Sequence, residues 1–362
     1  MTETQGNRLW SDVRITGLYT LSPLHCGIGQ VAGAVDLPVA REAGTDFPII
    51  PATGLKGAAR MHLRGLLDDE TMDVLFGPEL QSDKQAGASA TEENTRAGLL
   101  SFMEARLLAY PMRALVRPFL YVTCPMILGR LQRDLRALRP GGAWAAWAEE
   151  PMPKLLQEKA GVTREQWRDE PLVIEDLAYT GQDVAQVPWL EQTAARMAEL
   201  LPPGEDFTRQ QLRENLVCIP DADFGELIQR VIPVRARTQL TDGKTTDKWI
   251  GPHGQEQKGN LWYEEYIPAD TLFVQFVGQR RPGDGATPSA EATKEARLTA
   301  LDRHAEALRY IQVGGNETVG YGLCWWSGWG GGQARTISPQ GVGHGAASEA
   351  SLTTQPAAGE EG

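Results

Sequence analysis

Cysteine is scarce in this sequence of 362 residues, and its four cysteines stand far apart. None belongs to a Cys-x-x-Cys pair, which argues against a zinc site of the usual spacing and against a disulfide framework. Long apolar runs are also missing, so no membrane-spanning helix is predicted. The first residues, MTETQGNRLWSDV, contain no basic region followed by an apolar one and do not resemble a secretory signal. We therefore expect a cytoplasmic protein with buried, free thiols.

Basic residues are also fewer than acidic ones. The chain has 35 Lys and Arg residues against 47 Asp and Glu residues, which gives a formal net charge of −12 at pH 7. This sign argues against a free protein that binds nucleic acid strongly. It does not argue against a subunit of a nucleoprotein, in which neighbouring chains and local basic surface supply the potential. A hydrophobic content of 41% is enough for a substantial core.

The pattern of residues predicts one long folded region between two segments that lack a core. Residues 1–11 predict a flexible lead, and residues 331–362 are mostly small and polar and predict a disordered tail. A polar run at 78–97 predicts a disordered loop. In the remainder, strands and helices alternate without the rhythm of a parallel sheet, which favours an α+β fold.

Hydrophobic periodicity places the main elements. Strands are expected at 13–21, 99–102, 119–123, 232–239, 261–267 and 271–278, with a last one ending near 326, and helices at 55–67, 126–138, 188–201, 208–216, 223–230 and 292–310. The strands at 232–239 and 261–267 flank a hydrophilic insert with a Gly-rich tip. That pattern is typical of a β-hairpin with a long, mobile end.

The segment from Leu21 to Arg60 is the most informative part of the chain. It consists of a loop, punctuated by glycine and proline, between a predicted strand and a predicted helix. Its last part, Thr53-Gly54-Leu55-Lys56-Gly57, is typical of a helix cap and first turn. A helix start with spare N–H groups, flanking glycines and a lysine predicts a phosphate site. A solvated Lys56 in an ordinary strand–loop–helix is the alternative.

Asp36 lies in the same segment, within an otherwise apolar stretch from Val31 to Val39. A carboxylate in such surroundings needs a partner, a metal ion or solvent. The residues alone leave two interpretations open. Asp36 either carries chemistry or only accepts hydrogen bonds from backbone amides in a turn.

Several sequence blocks follow one another along the chain. They are Leu24-His25-x-Gly27-x-Gly29, Gly33-x-x-Asp36-Leu37-Pro38-x-x-Arg41-Glu42, Phe47-Pro48-x-Ile50-Pro51-x-x-Gly54-Leu55-Lys56-Gly57, Leu75-Phe76-Gly77, GLLSFxEARL at 98–107, VTCP at 122–125, LWYEEYIP at 261–268 and IQVGGNETVGYG at 311–322. In order and approximate spacing they resemble the RAMP superfamily of CRISPR proteins. Within it the resemblance is to the backbone subunit of the type III-B (Cmr) RNA-guided effector complex, over about residues 12–330.

The resemblance implies a modified RRM-like, or ferredoxin-like, palm. It also implies inserted helical fingers at about 140–230 and a β-hairpin thumb at about 235–263. The implied function is a repeated subunit for antiviral defence that binds guide RNA and cleaves complementary target RNA at regular intervals. Its implied partners are guide RNA, target RNA, further copies of itself in a filament and other Cmr-complex subunits, with no membrane.

The resemblance also assigns roles to residues of the site. Asp36 matches the family's catalytic aspartate and would hold a divalent metal, Mg²⁺ or alternatively Mn²⁺. His25 would transfer protons or, equally, hold loop backbone. Glu264 and Tyr266 would assist cleavage from one face of a predicted strand, with Glu265 on the other face.

A second set of residues is expected to hold RNA. Lys56 would contact the guide backbone, with Gly54 and Gly57 allowing close approach. Further candidates for local basic surface or for a glycine loop along RNA are Arg60, Arg235, Arg237, Gly314 and Gly315. Such contacts ignore base sequence, which suits a protein whose target is chosen by base pairing. For the glycine loop, a contact between subunits is the alternative.

Four tryptophans, Trp144, Trp147, Trp167 and Trp189, lie in a middle region with twice as many acidic as basic residues. Tryptophan can stack on nucleobases. Their irregular spacing and acidic surroundings favour packing instead.

Two other functions stay open at this point. One is a scaffold of the same architecture that binds RNA without cutting it, which Asp36 disfavours. The other is an endoribonuclease that matures guide RNA without metal through His25, which cleavage in EDTA would reveal. No motif recommends an enzyme acting on a small molecule.

Overall fold

The computed structural model describes residues 10–31, 33–79, 97–115, 117–140, 142–164, 171–240, 244, 249–250, 256–257, 261–280 and 298–329. Several predictions lie wholly or largely outside these residues. They concern the disordered loop at 78–97, the tail at 331–362, Trp167 and the tip of the hairpin.

The described residues form short and long strands around a set of helices. The strands are β1 (Trp10–Thr20), β2 (Ile49–Ile50), β3 (Leu100–Phe102), β4 (Ala105–Met112), β5 (Leu120–Thr123), β6 (Ala160–Val162), β7 (Leu172–Ile174), β8 (Leu177–Tyr179), β9 (Val184–Gln186), β10 (Leu216–Cys218), β11 (Val234–Thr238), β12 (Trp249–Ile250), β13 (Glu256–Gln257), β14 (Leu261–Glu265), β15 (Leu272–Arg280), β16 (Tyr310–Gln312) and β17 (Leu323–Ser327). The α-helices are α1 (Ala52–Leu63), α2 (Asp69–Phe76), α3 (Pro125–Leu138), α4 (Gly142–Glu149), α5 (Pro188–Ala198), α6 (Asp206–Asn215), α7 (Asp221–Val231) and α8 (Leu298–Asp302).

The main sheet runs in the order β16-β17-β1-β15-β4-β5-β10-β6-β9. Its four central strands, β17, β1, β15 and β4, pair antiparallel. Along the chain these four strands follow one another as β1, β4, β15 and β17. If they are numbered 1 to 4 in that order, their order across the sheet is 4-1-3-2. Helix α1 follows the first strand and α8 precedes the fourth, which makes a βαββαβ ferredoxin-like unit. The predicted α+β fold with a ferredoxin-like palm is confirmed.

The helical insertion packs directly on this palm. Strand β1 is buried continuously from Val13 to Thr20, so both of its faces are covered. A Cβ atom added to Gly17 would overlap Leu200 O, just after α5, which explains why only glycine fits there. The short strands β6, β9 and β10 extend the sheet within the insertion. Sequence periodicity did not predict them, because three-residue strands contain too little pattern.

Three of the four tryptophans belong to the core of the insertion. Trp144, Trp147 and Trp189 are 1%, 2% and 9% exposed. The Trp147 and Trp189 rings stack with centroids 5.5 Å apart, and Trp147 Nε1 donates to Thr193 Oγ1. The packing interpretation is confirmed for these three, and stacking on bases is excluded by their burial.

The predicted hairpin is formed by β11 and β14. The two strands pair antiparallel from Val234↔Glu265 to Thr238↔Leu261 and stand apart from the main sheet. Because a two-stranded ribbon has little core of its own, its position depends on contacts at its base. Those contacts are with the loop that follows β1 and with residues 316 and 321.

Two expectations about element boundaries were wrong. Trp10 and Ser11, assigned to a flexible lead, belong to β1 and pair with β15. The helix predicted at 292–310 is described from 298 and ends at Asp302; turns follow, and Tyr310 begins β16. Strand β16 pairs with β17 at the sheet edge, and this tertiary pairing overrides the helical preference of the local sequence.

All four cysteines are buried and free, as expected. Burial raises the pKa of the Cys26 thiol to about 12. Within the described residues, no helix has the length and apolarity that crossing a bilayer requires.

Candidate active site

Three segments far apart in sequence meet beside the hairpin base. They are the loop after β1, the end of β14 and the glycine loop at 313–322. Leu24 and Ile267 exchange two backbone hydrogen bonds of 2.8 Å, and Gly315 N donates to His25 O at 2.9 Å. Gly314 has φ +81° and could carry no Cβ atom, which would lie 2.5 Å from His25 O. The glycine at 314 therefore serves close packing on His25.

The loop that carries Asp36 is closed at its neck and joined to the hairpin. Ala40 N donates to Cys26 O at 2.7 Å and closes the neck. Asp36 N and Leu37 N both donate to Tyr263 O at 3.1 Å, and Glu265 N donates to Leu37 O at 3.0 Å. Residues 36 and 37 thus run alongside β14, and hydrogen bonding fixes an irregular backbone there.

The Asp36 carboxylate is half-buried, and its two oxygens differ. Oδ2 accepts a hydrogen bond of 2.8 Å from the backbone N–H of Tyr263. Oδ1 accepts none from any residue in the described part of the chain. Asp36 does bind a backbone amide, as one interpretation required, and it keeps one oxygen available for another partner.

The donor set around Asp36 limits how a metal ion could be held. In the described ranges, no three His, Cys, Asp or Glu side chains are grouped to hold a metal. Mg²⁺ is nevertheless often bound by one or two carboxylates, with phosphate oxygens and water completing its shell. The site fits a divalent ion only in that form, with Asp36 Oδ1 as the protein ligand.

Glu264 lies beneath the surface in a cluster of polar side chains. Its side chain is only 2% exposed and lies 2.6 Å from Arg237 Nε. Its other oxygen accepts from Asn316 Nδ2 and lies 3.5 Å from His25 Nδ1. This carboxylate joins the hairpin to the glycine loop, and its auxiliary role in cleavage stays a prediction.

His25 is held by backbone on two sides. Its Nδ1 lies 2.8 Å from Glu265 O, an acceptor, so Nδ1 carries the proton in that contact. Its Nε2 lies against Gly27, where an added Cβ atom would be 2.5 Å away. This geometry supports the structural interpretation of His25, and proton transfer by His25 stays a prediction.

Tyr266 and the two hairpin arginines form a second cluster with Tyr321. The Arg235 guanidinium lies 4.8 Å from the centre of the Tyr266 ring and donates to Tyr321 Oη at 2.8 Å. The Arg237 guanidinium lies 4.9 Å from the centre of the Tyr321 ring. Both arginines thus have contacts within the chain, and Arg235 is also exposed; the role of the two residues in RNA binding stays a prediction.

Sequence reasoning missed four residues of this region: Arg41, Glu265 as a side chain, Asn316 and Tyr321. Glu265 Oε2 accepts from Val39 N at 3.0 Å, and Oε1 accepts from Arg41 at 2.9 Å. All four residues stand within the sequence blocks quoted above, and this was the signal that could have found them.

Helix α1 presents the second candidate surface. It begins at Ala52 after Pro51, which provides no side-chain cap. Lys56 therefore lies in the second turn, and the expectation that it sits in the first turn was wrong; proline fixes an earlier start. Burial, then the nearby Arg280 and Arg60, lower the pKa of Lys56. A bound anion would relieve this crowding of cations.

Arg60, Gly54 and Gly57 lie on the same helix. Arg60 donates to Gly77 O and lies 3.3 Å from Asp73, so it is tied to α2 and is not free. Gly54 and Gly57 are exposed, and a Cβ atom at either would meet nothing within 4 Å. No packing within the described residues requires glycine at these two positions.

Comparison with known proteins gives a consistent picture. The RAMP superfamily matches residues 18–325. The chain is 30% identical over 312 residues to the CRISPR system Cmr endoribonuclease Cmr4 of Pyrococcus furiosus, covering 85% of this chain and 93% of that protein. It is 25% identical over 319 residues to the CRISPR system CMR subunit Cmr4 of Saccharolobus solfataricus, covering 83% and 91%.

Solved structures share the fold. The crystal structure of oligomeric Cmr4 from Pyrococcus furiosus matches with a TM-score of 0.59 and 26% identity, over 87% of this chain and 96% of that one. A chain in the cryo-EM structure of the type III-B Cmr-beta bound to cognate target RNA matches with a TM-score of 0.63, over 88% and 97%. The latter is 19% identical and supports the fold alone.

Proposed function

The chain belongs to the RAMP superfamily and, within it, to the Cmr4 family of CRISPR systems, and from this we propose that it cleaves target RNA as a repeated backbone subunit of a type III-B complex. One observation carries the catalytic part of the proposal. Asp36 keeps one carboxylate oxygen available on a loop that is fixed against the hairpin. The names of its relatives agree, since one is an endoribonuclease and one was solved as an oligomer.

Cleavage of RNA requires an in-line attack on phosphorus, a partner for the attacking hydroxyl proton and stabilisation of charge on the phosphoryl oxygens. Asp36 Oδ1 would act at the reacting phosphate, while the Tyr263 N–H bonded to Oδ2 would fix the direction of the carboxylate. A divalent ion held by Asp36, with Mg²⁺ or Mn²⁺ both suitable, would supply charge stabilisation at the phosphoryl oxygens. His25 contacts Glu264 and the backbone oxygen of Glu265, and Tyr266 packs with Arg235 and Tyr321; both would assist cleavage from this region.

The same subunit would hold guide RNA on the exposed face of α1. Lys56 supplies the charge, and Gly54 and Gly57 allow the sugar–phosphate backbone to come close to the helix. These contacts are independent of base sequence. Base pairing between guide and target would then choose the substrate.

The hairpin would determine the position of each cleavage in the target RNA. Leu261 and Tyr263 on β14 are exposed, and Tyr263 is hydrogen-bonded to Asp36, so an RNA duplex at this position would meet apolar and aromatic surface. Insertion of the hairpin between base pairs would free the scissile nucleotide next to Asp36. Copies of the subunit along guide RNA, together with other Cmr-complex subunits, would repeat this cut at regular intervals.

The test is reconstitution of the complex with guide RNA and labelled complementary target. Asp36→Asn keeps an oxygen for the Tyr263 N–H but removes the charge, so the loop should stay in place. We expect cleavage to fall by roughly 100-fold or more, with unchanged assembly, and cleavage by the wild type to stop in EDTA. Asp68→Asn, at an exposed helix cap where Asn serves equally well, is the matched control and should cleave normally.

Three results would contradict the proposal. Normal metal-dependent cleavage by Asp36→Asn would remove the assignment of Asp36. Failure of the wild-type complex to cut in Mg²⁺ or Mn²⁺ would leave a scaffold that binds RNA. Cleavage in EDTA that depends on His25 and not on Asp36 would indicate metal-independent processing of guide RNA.

A further inference from the structure

We propose that Glu265 and Arg41 form a clamp that positions Asp36, a role that rests on the function proposed above. Glu265 is the last residue of β14, and Arg41 lies five positions after Asp36. Both Glu265 oxygens are used: Oε2 accepts from Val39 N at 3.0 Å, and Oε1 accepts from Arg41 at 2.9 Å. The carboxylate therefore fixes the strand-like exit of the Asp36 loop at two points.

The clamp adds a side-chain ion pair between two parts of the fold that backbone hydrogen bonds also join. Arg41 stands on the palm side, because its neighbours bond to the segment around β2: Ile49 N donates to Ala40 O at 3.0 Å, and Glu42 N donates to Phe47 O at 2.8 Å. Glu265 stands on the hairpin side, where it pairs with Val234. The Arg41–Glu265 pair thus joins the palm side to the hairpin base at the end of the Asp36 loop.

The surroundings make this pair stronger than an ordinary surface ion pair. The side chains of Arg41 and Glu265 are only 16% and 12% exposed, so solvent and salt screen the charges weakly. A charged group on each side shortens and strengthens the hydrogen bond. In contrast, the second acidic partner of Arg41, Asp46, is 55% exposed and 3.9 Å away.

The backbone bonds of the loop do not make the clamp redundant. Asp36 N and Leu37 N share one acceptor, Tyr263 O, at 3.1 Å each, and Glu265 N donates to Leu37 O at 3.0 Å, so these bonds hold residues 36 and 37, and none of them involves Val39 or Arg41. The two Glu265 contacts restrain the next turn of chain. Since neither Glu265 oxygen is left for substrate, Glu265 acts through Asp36 as a positioning residue.

The test compares single-turnover cleavage by reconstituted complexes. Glu265→Gln keeps an oxygen for Val39 N–H and loses the charge facing Arg41, and Arg41→Met loses the same pair from the other side. We expect each to slow cleavage about 10- to 100-fold, since small misplacements of reacting groups have effects of that size. Affinity for guide and target should stay within about twofold, because the clamp touches neither surface. The double variant should be little slower than either single one.

A second readout is independent of activity. Hydrogen–deuterium exchange of the full chain should accelerate at residues 33–40 in both variants and stay unchanged in α3. Asp46→Asn, which alters only the exposed partner of Arg41 and keeps a residue that tolerates the positive φ of 63° there, is the matched control and should match the wild type in both measurements.

The outcomes separate this clamp from the function on which it rests. If Asp36→Asn is inactive but Glu265→Gln and Arg41→Met cleave within about twofold of the wild type, the clamp is wrong and the function stands. Faster exchange throughout the protein would also overturn the clamp, because it would indicate general destabilisation. If Asp36→Asn cleaves normally, the assignment of Asp36 fails first, whatever the Glu265 variants do.

Discussion

Asp36 and Lys56 lie in two regions that different interactions hold in place. Helix α1 is fixed by packing, since Leu55, Ala59 and Leu63 are fully buried beneath it. The Asp36 loop has irregular backbone and is fixed by hydrogen bonds from β14, more than two hundred residues later. The surface proposed to hold RNA is therefore local in sequence, whereas the proposed cutting site depends on distant segments.

Both regions leave a charge without a full set of partners. One oxygen of Asp36 is open among the described residues, and Lys56 lies near two other cations. Elsewhere near the site, carboxylates such as Glu264 and Glu265 have both oxygens engaged. Departures from local charge balance are expected where a protein meets a ligand. The difference suggests that the two regions can be disabled separately.

The largest effect is expected from the buried carboxylate under the Asp36 loop. Glu264→Ala leaves Arg237 and Asn316 without their partner, and breaking a buried pair of this kind costs about 3 kcal/mol. Asp36→Asn should change the free energy of unfolding by no more than about 0.5 kcal/mol, because its backbone contact survives. Chemical denaturation of the purified chain measures both.

The exposed Glu226, which pairs with Arg230 on α7, supplies the control. Glu226→Ala, like Asp36→Asn, should change the free energy of unfolding by no more than about 0.5 kcal/mol. Equal destabilisation by Glu264→Ala and Glu226→Ala would show that the cluster with His25 and Asn316 does not hold the three segments together.

These differences also explain what the sequence could predict. The spacing of Leu55, Ala59 and Leu63 predicted α1 near its observed position, because apolar residues recur at helical spacing along a helix that packs on a core. Alternation along β14 correctly separated Glu264 from Glu265. It could not tell which of them is buried, since polar residues occupy both faces and no apolar face marks the inside.

The rest of the site depends on contacts between distant residues. Arg235 and Arg237 look like open basic surface in the sequence, and their partner Tyr321 lies more than eighty positions away. Family resemblance identified Asp36, but not the residues that hold it. Such partners follow from the tertiary fold alone, and local pattern contains no information about them.

A smaller effect is expected at Lys56, and it should fall on RNA binding. Lys56→Met removes one phosphate contact, so affinity for guide RNA should fall about tenfold and become less sensitive to salt. Cleavage at saturating RNA should be unchanged. Lys154→Met, at an exposed position of the helical insertion, is the control for loss of one charge. Loss of cleavage at saturating RNA would show that Lys56 contributes to cleavage as well as to RNA binding.

The same substitution should stabilise the free chain slightly. The pKa of Lys56 is lowered by burial and by Arg280 and Arg60, so its charged form is less favourable in the folded state than in the unfolded state. That penalty is complete below the lowered pKa and disappears as pH rises toward the usual value of lysine. At neutral pH, Lys56→Met should therefore unfold at a slightly higher temperature than the wild type in the absence of RNA.

The smallest effects are expected when glycines of the two regions are replaced by alanine, and the change in stability should have opposite signs in the two regions. Gly54 and Gly57 lie inside α1 with open space around them, and alanine is more favourable than glycine there by about 0.5–1 kcal/mol. Gly54→Ala and Gly57→Ala should thus stabilise the free chain while weakening guide binding. Gly314→Ala, in contrast, should destabilise it, because positive φ and the contact with His25 O leave no room for Cβ. If alanine at 54 and 57 left guide affinity intact, the RNA backbone would not approach this face of α1, and the holding surface would have to be sought around Lys56 alone.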